Sequence, residues 1–187
     1  MIPQYNFKLK FSVNDVINNN WLRPHPGMFF VKNYDEQSDW EQILNTDFLE
    51  TVNSIHPIVR VMIFNKPRSW DNQDAHVDPG ILYALNIVQS VKNSNAKMQW
   101  FNLVNSANKE VSYSDSDTPY VNYTADELDL VHEDCIDNTV SIVRTDIPHR
   151  IEIGNNFRTC ISFRFKKNFS SWEEMYYFYK NLNWIAD

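Results

Sequence analysis

Residues 157–165 read Phe157-Arg158-Thr159-Cys160-Ile161-Ser162-Phe163-Arg164-Phe165. Successive side chains of a β-strand point to opposite faces. The odd positions (Phe157, Thr159, Ile161, Phe163, Phe165) make a packing face. The even positions (Arg158, Cys160, Ser162, Arg164) make a polar row. Such a row is what an anion-binding barrel interior needs, because an arginine fork holds a carboxylate through two parallel hydrogen bonds. Arg158 is the first candidate for that clamp, and Arg164, of the same parity, is its rival.

Nine residues before Arg158, across a Gly154-Asn155-Asn156 turn, stands His149 in Ile147-Pro148-His149-Arg150-Ile151. It shares parity with Ile147, Ile151 and Ile153, which points its ring inward. Far upstream, His76-Val77-Asp78 places an imidazole and a carboxylate two residues apart. On a strand these share one face with Cα atoms about 6.6 Å apart, close enough to converge on one ion. Two histidines and a carboxylate on one side of a metal leave open positions opposite. That suits non-haem Fe(II), which must also take a cosubstrate and O2.

The rest of the chain supplies a setting. Alternation predicts strands over Tyr5–Val13, Met28–Val31, Val59–Phe64, Ile81–Gln89, Lys97–Val104, Thr139–Arg144 and Pro148–Ile153. Pro24-His25-Pro26-Gly27 reads as a turn. Ser38 reads as the cap of a helix starting at Asp39, and a second helix spans Thr46–Ile55. Ser171-Trp172-Glu173-Glu174 opens a capped amphipathic helix to about Asn183. Residues 105–137 form a long acidic insert with a predicted short helix at Ala125–Val131, read as a solvated loop or lid. Many short strands with helices near both ends predict one α+β domain, residues 1–187, around a β-sandwich or jelly roll.

The ordered set His76-x-Asp78, His149, Arg158 resembles the 2-oxoglutarate and Fe(II)-dependent dioxygenase superfamily. So do the flanking runs Tyr83-Ala84-Leu85-Asn86-Ile87 and Phe157 to Phe165. The chain looks most similar to small phage and bacterial proteins related to aspartyl/asparaginyl β-hydroxylase. Some of those relatives lack the carboxylate ligand that Asp78 retains here. The resemblance covers roughly residues 59–165. It implies a double-stranded β-helix, a cupin-like jelly-roll barrel, with flanking N- and C-terminal helices. It implies Fe(II) on His76, Asp78 and His149, with 2-oxoglutarate chelating the iron and its far carboxylate on Arg158. It also implies O2 at the remaining position, release of succinate and CO2, and hydroxylation of a substrate. Asn86 and Trp100 fall on strands near that site, and Asn86 is a candidate contact for the cosubstrate.

Composition narrows the alternatives. Three glycines in 187 residues cannot build a Gly-rich phosphate loop. The net charge of −7 argues against a general nucleic-acid or anionic-membrane binder, leaving a small molecule or a protein side chain as substrate. No apolar run reaches the roughly 18 residues of a membrane helix. The start of the chain lacks a signal-peptide pattern, and two cysteines make no disulfide framework, so a cytoplasmic protein with reduced thiols is expected. His25, His56 and His132 have no partner at metal spacing. The aromatic terminal helix is a packing or dimer face. Competing readings are a cupin-like metal protein that does not use 2-oxoglutarate and a non-enzymatic binding protein on the same barrel. A cupin would normally offer His-x-His with a glutamate rather than His-x-Asp.

Overall fold

The computed structural model describes residues 1–18, 29–33, 43–66, 74–90, 96–104, 109–113, 118–152, 158–166 and 169–186. In chain order its elements are β1 (Asn6–Lys8), α1 (Val13–Val16), β2 (Phe29–Asn33), α2 (Thr46–Ile55), β3 (Ile58–Lys66) and β4 (Ala75–Val77). There follow β5 (Tyr83–Ser90), β6 (Lys97–Leu103), β7 (Ser112–Tyr113), β8 (Pro119–Tyr123), β9 (Leu128–Asp134), β10 (Thr139–Arg144), β11 (His149–Glu152), β12 (Arg158–Phe165) and α3 (Trp172–Asn181).

The strands form two six-stranded antiparallel sheets, ordered β1-β10-β5-β12-β3-β2 and β7-β8-β4-β11-β6-β9. From β3 to β6 and from β9 to β12, successive strands alternate between the sheets. The molecule is therefore mostly antiparallel β, of sandwich or barrel type, with three short α-helices among the described residues as accessories.

The alternation in β12 divides the interior in two. Ile161 and Phe163 join Leu85, Ile87, Ile142 and Ile63 in a core on the outer face of the first sheet. Phe48, Leu49 and Val52 of α2 and Trp172, Met175 and Tyr179 of α3 cover that face. A second, smaller core lies between the sheets, with Ala84, Val88, Met98, Trp100, Val143 and Cys160. Both faces of the first sheet are thus covered, which is why β5 is buried at six successive positions.

Several expectations are corrected. The predicted strand Tyr5–Val13 contains only β1, and Val13 opens a helical turn capped by the Ser12 side chain on the Asp15 amide. The predicted helix Ala125–Val131 is a single 3-10 turn, Ala125–Glu127, leading into β9. Pairing of Leu128 to Asp134 along β6 outcompetes the local helical signal. The turn at Pro24–Gly27, the helix starting at Asp39 and the Gly154–Asn156 turn lie outside the described residues. Neither cysteine is in a disulfide. Among the described residues no helix is long and apolar enough to cross a membrane.

Candidate metal centre

Register brings the histidines together. His76 on β4 pairs directly with His149 on β11, and their ring centroids lie 4.5 Å apart. Asp78 follows β4 and enters a tight turn, with the Ile81 amide donating to the Asp78 carbonyl at 3.1 Å. Pro79 and Gly80 occupy the turn's central positions. Gly80 has φ +74°, as a type II turn requires at its third residue. The Asp78 amide donates to the Thr145 carbonyl at 3.0 Å, tying the turn to the chain between β10 and β11.

The ligand atoms of His76, Asp78 and His149 all lie within 4.8 Å of one another. His76 Nε2 and Asp78 Oδ1 are 3.7 Å apart. Two adjacent ligands with bonds near 2.1 Å are separated by about 3 Å, so a small inward movement closes the set. His149 Nδ1 is 2.9 Å from the Ile147 carbonyl. A carbonyl only accepts, so Nδ1 carries the proton and Nε2 keeps its lone pair for an ion. His76 Nδ1 faces the Asp74 carbonyl at 3.4 Å with the same consequence.

Electrostatics favour a ligating state. Burial pushes the His149 ring down to about 4, helped by the neighbouring His76, so it is neutral at pH 7. Burial alone would raise the Asp78 carboxyl, but the Arg164 guanidinium and the two imidazoles together hold it below the usual carboxylate range. Arg164 Nη2 donates to Asp78 Oδ2 at 2.6 Å, and Nη1 donates to Ser162 Oγ at 2.7 Å. Arg164 therefore braces the Asp78 carboxylate, a candidate ligand, and leaves Oδ1 facing His76. Sequence parity placed it on the right face but not on Asp78, because that contact joins residues 86 positions apart.

Arg158 is the other buried cation. It is 2% exposed, and its Nε and Nη2 have no hydrogen-bond partner among the described residues. It lines one pocket together with His76, His149, Asn86, Ser162 and Arg164. Asn86 Oδ1 is likewise buried without a partner. Asn86 and Ser162 sit opposite each other in register, one row from Cys160 and two from Arg158. The turn at Asp78 separates β4 from β5, so Asn86 reaches the pocket through sheet pairing rather than along one strand. Asp137 also feels Arg158: burial raises its carboxyl and the Arg158 charge opposes the rise.

Trp100 is fully buried and pairs in register with His149. His56 is buried beneath α3 against the Tyr83 hydroxyl at 2.9 Å, outside this site. Comparison with protein-family models, with curated proteins and with solved structures gives no match to this chain.

Proposed function

We propose that the protein is an Fe(II)- and 2-oxoglutarate-dependent oxygenase built on a double-stranded β-helix. One observation carries the reading. His76 and His149, two of the three clustered candidate ligands, line one pocket with a buried guanidinium, two of whose nitrogens have no hydrogen-bond partner among the described residues. Two buried guanidinium nitrogens without hydrogen bonds are costly, and a dicarboxylate reaching from the metal to Arg158 removes that cost. The strand orders β10-β5-β12-β3 and β4-β11-β6-β9 support the jelly-roll reading.

In this reading, His76, Asp78 and His149 hold the ion. Bound iron and 2-oxoglutarate supply the oxidative chemistry: with dioxygen they yield succinate, CO2 and a hydroxylated substrate. The chain does the rest. Arg164 keeps Asp78 ionised and oriented. The Ile147 and Asp74 carbonyls aim the two Nε2 lone pairs. Arg158 binds the far carboxylate of the cosubstrate, and Asn86 offers its amide beside it. Met98 and Ile151 line the same pocket and exclude water from it. The prime substrate is a small molecule or a protein side chain.

The test is anaerobic Fe(II) titration followed by 2-oxoglutarate, read as a visible metal-to-ligand absorption band. Wild type should develop the band. Arg158→Ala should bind iron equally but need roughly ten- to a hundredfold more 2-oxoglutarate, as expected for loss of a charged hydrogen-bond pair. Iron binding with no band would favour the second reading, a cupin-like metal protein without 2-oxoglutarate. Asp137 gives that reading some support, because its carboxylate already interacts with Arg158. No iron binding would leave a non-enzymatic binding protein.

A further inference from the structure

The second sheet carries a row of rings that extends past the metal ligands. Register sets His76 opposite His149, His149 opposite Trp100, and Trp100 opposite His132. Residues directly opposite on adjacent strands project to the same face. The row therefore crosses β4, β11, β6 and β9 side by side. Tyr5, just before β1, closes its far end. The Tyr5 and Trp100 centroids are 5.8 Å apart, and Tyr5 stacks on His132 at 4.9 Å and 14°. Trp100 and His132 are 5.5 Å apart. Trp100 is fully buried, whereas Tyr5 and His132 are partly exposed. Register places Trp100 opposite the candidate ligand His149, and ring contacts run from Trp100 through Tyr5 and His132 toward solvent.

We propose that Trp100 and Tyr5 form a hole-escape path that drains oxidising equivalents from the metal to the surface, with His132 as the outer cover of Tyr5. The proposal rests on the oxygenase reading above. Its oxidant is the species that dioxygen generates at the ferrous site when no prime substrate is present. One electron passes from Trp100 to that centre, and Trp100 is restored by one electron from Tyr5. Tyr5 loses its phenolic proton to solvent and becomes a neutral radical. A cellular thiol then returns a hydrogen atom to it. In net terms the centre is reduced by one electron and the thiol is oxidised by one.

The order of the path follows from its environments. Trp100 is fully buried and its Nε1 donates to the Arg144 carbonyl at 3.0 Å, which holds the indole proton on a protein acceptor. The half-buried Tyr5 has an exit to water for its own. The path also has something to protect. Met98 and Cys160, both oxidisable at sulfur, line the metal pocket.

The experiment loads the full chain with Fe(II) without oxygen, adds 2-oxoglutarate, and admits O2 with no other substrate. Three readouts are taken from each sample: tyrosyl radical by electron paramagnetic resonance, oxygen added to Met98 and Cys160 by peptide mass, and succinate. Tyr5→Phe preserves the ring stack and removes the dissociable proton. Wild type should give a tyrosyl signal that Tyr5→Phe loses, with several-fold more oxygen on Met98 and Cys160 per succinate in the variant. Succinate with a signal that survives Tyr5→Phe, or with equal oxygen incorporation, overturns the path and spares the oxygenase reading. Iron bound without succinate overturns the oxygenase reading. A parallel arm with Fe(II) and hydrogen peroxide then judges the path alone, where equal behaviour of the two proteins overturns it. Failure to bind iron overturns both.

Discussion

His149 sits fully inside the protein with its neutral ring matched to a carbonyl on one side and to the ligand cluster on the other. That choice has a pH signature. The folded ring titrates at about 4 and an unfolded histidine near 6.5. Between those values the unfolded chain binds more protons, so stability falls as pH falls. Metal-free protein should keep this contribution above about pH 6.5 and lose roughly 3 kcal/mol of it on approaching pH 4. Asp78, held low by Arg164, acts in the same direction at still lower pH. Urea unfolding between pH 7 and pH 4.5 measures the slope, and His149→Gln should flatten it. An unchanged slope in the variant would mean that other groups carry the pH dependence. The candidate ligands His76, Asp78 and His149 were legible as residues in the sequence because strand spacing is local. The Arg164 brace was not, since its partner lies 86 positions away.

At the scale of elements, β12 and the insert contrast. The two faces of β12 are distinguishable in its own letters, and burial follows them, with Ile161 and Phe163 toward the helices and Cys160 and Ser162 toward the pocket. The insert misleads. Ala125 to Val131 carries a helical pattern, yet the chain turns once and pairs with β6. Lys109 holds the turn that precedes β9. It pairs with Glu127, donates to the Asn122 carbonyl at 3.0 Å and lies over the Tyr123 ring. Glu127 is pushed down to about 2 by Lys109 and by the Thr124 amide and hydroxyl. The terminal helix, by contrast, starts where its cap predicts. The Glu174 amide donates to Ser171 Oγ at 3.1 Å, and Glu174 accepts from the Ser170 amide at 2.9 Å. Ser171→Ala should cost about 1 kcal/mol and lower the Tm by roughly 2–4 °C. Iron affinity should not change, because α3 covers the outer core and not the pocket. A weakened metal site in calorimetric titration would contradict that division of the interior.

The whole molecule is two cores sharing one sheet, with the ligand cluster set where the two sheets face each other. His76 and His149 come from one sheet, and Arg158 and Arg164 from the other. A metal bound there stabilises only the folded chain. At a free concentration of 100 Kd this amounts to about 2.7 kcal/mol, or roughly 5–10 °C in Tm for a chain of this size. The shift should reverse with a chelator and vanish in Asp78→Ala. Persistence of the shift in that variant would place the ion elsewhere. Sequence alone determined the strand-rich character, the inward row of β12, the helices α2 and α3 and the residues that can bind a metal. Each of these is expressed in spacings of two to four residues, within reach of a strand's alternation or a helical turn. The tertiary structure decided which residues meet. The His76–His149 pairing, the Arg164–Asp78 bond, the burial of Arg158 in the pocket and the ring row ending at Tyr5 all depend on sheet register. Register is set by packing across the molecule between strands far apart in the chain, and no local pattern encodes it.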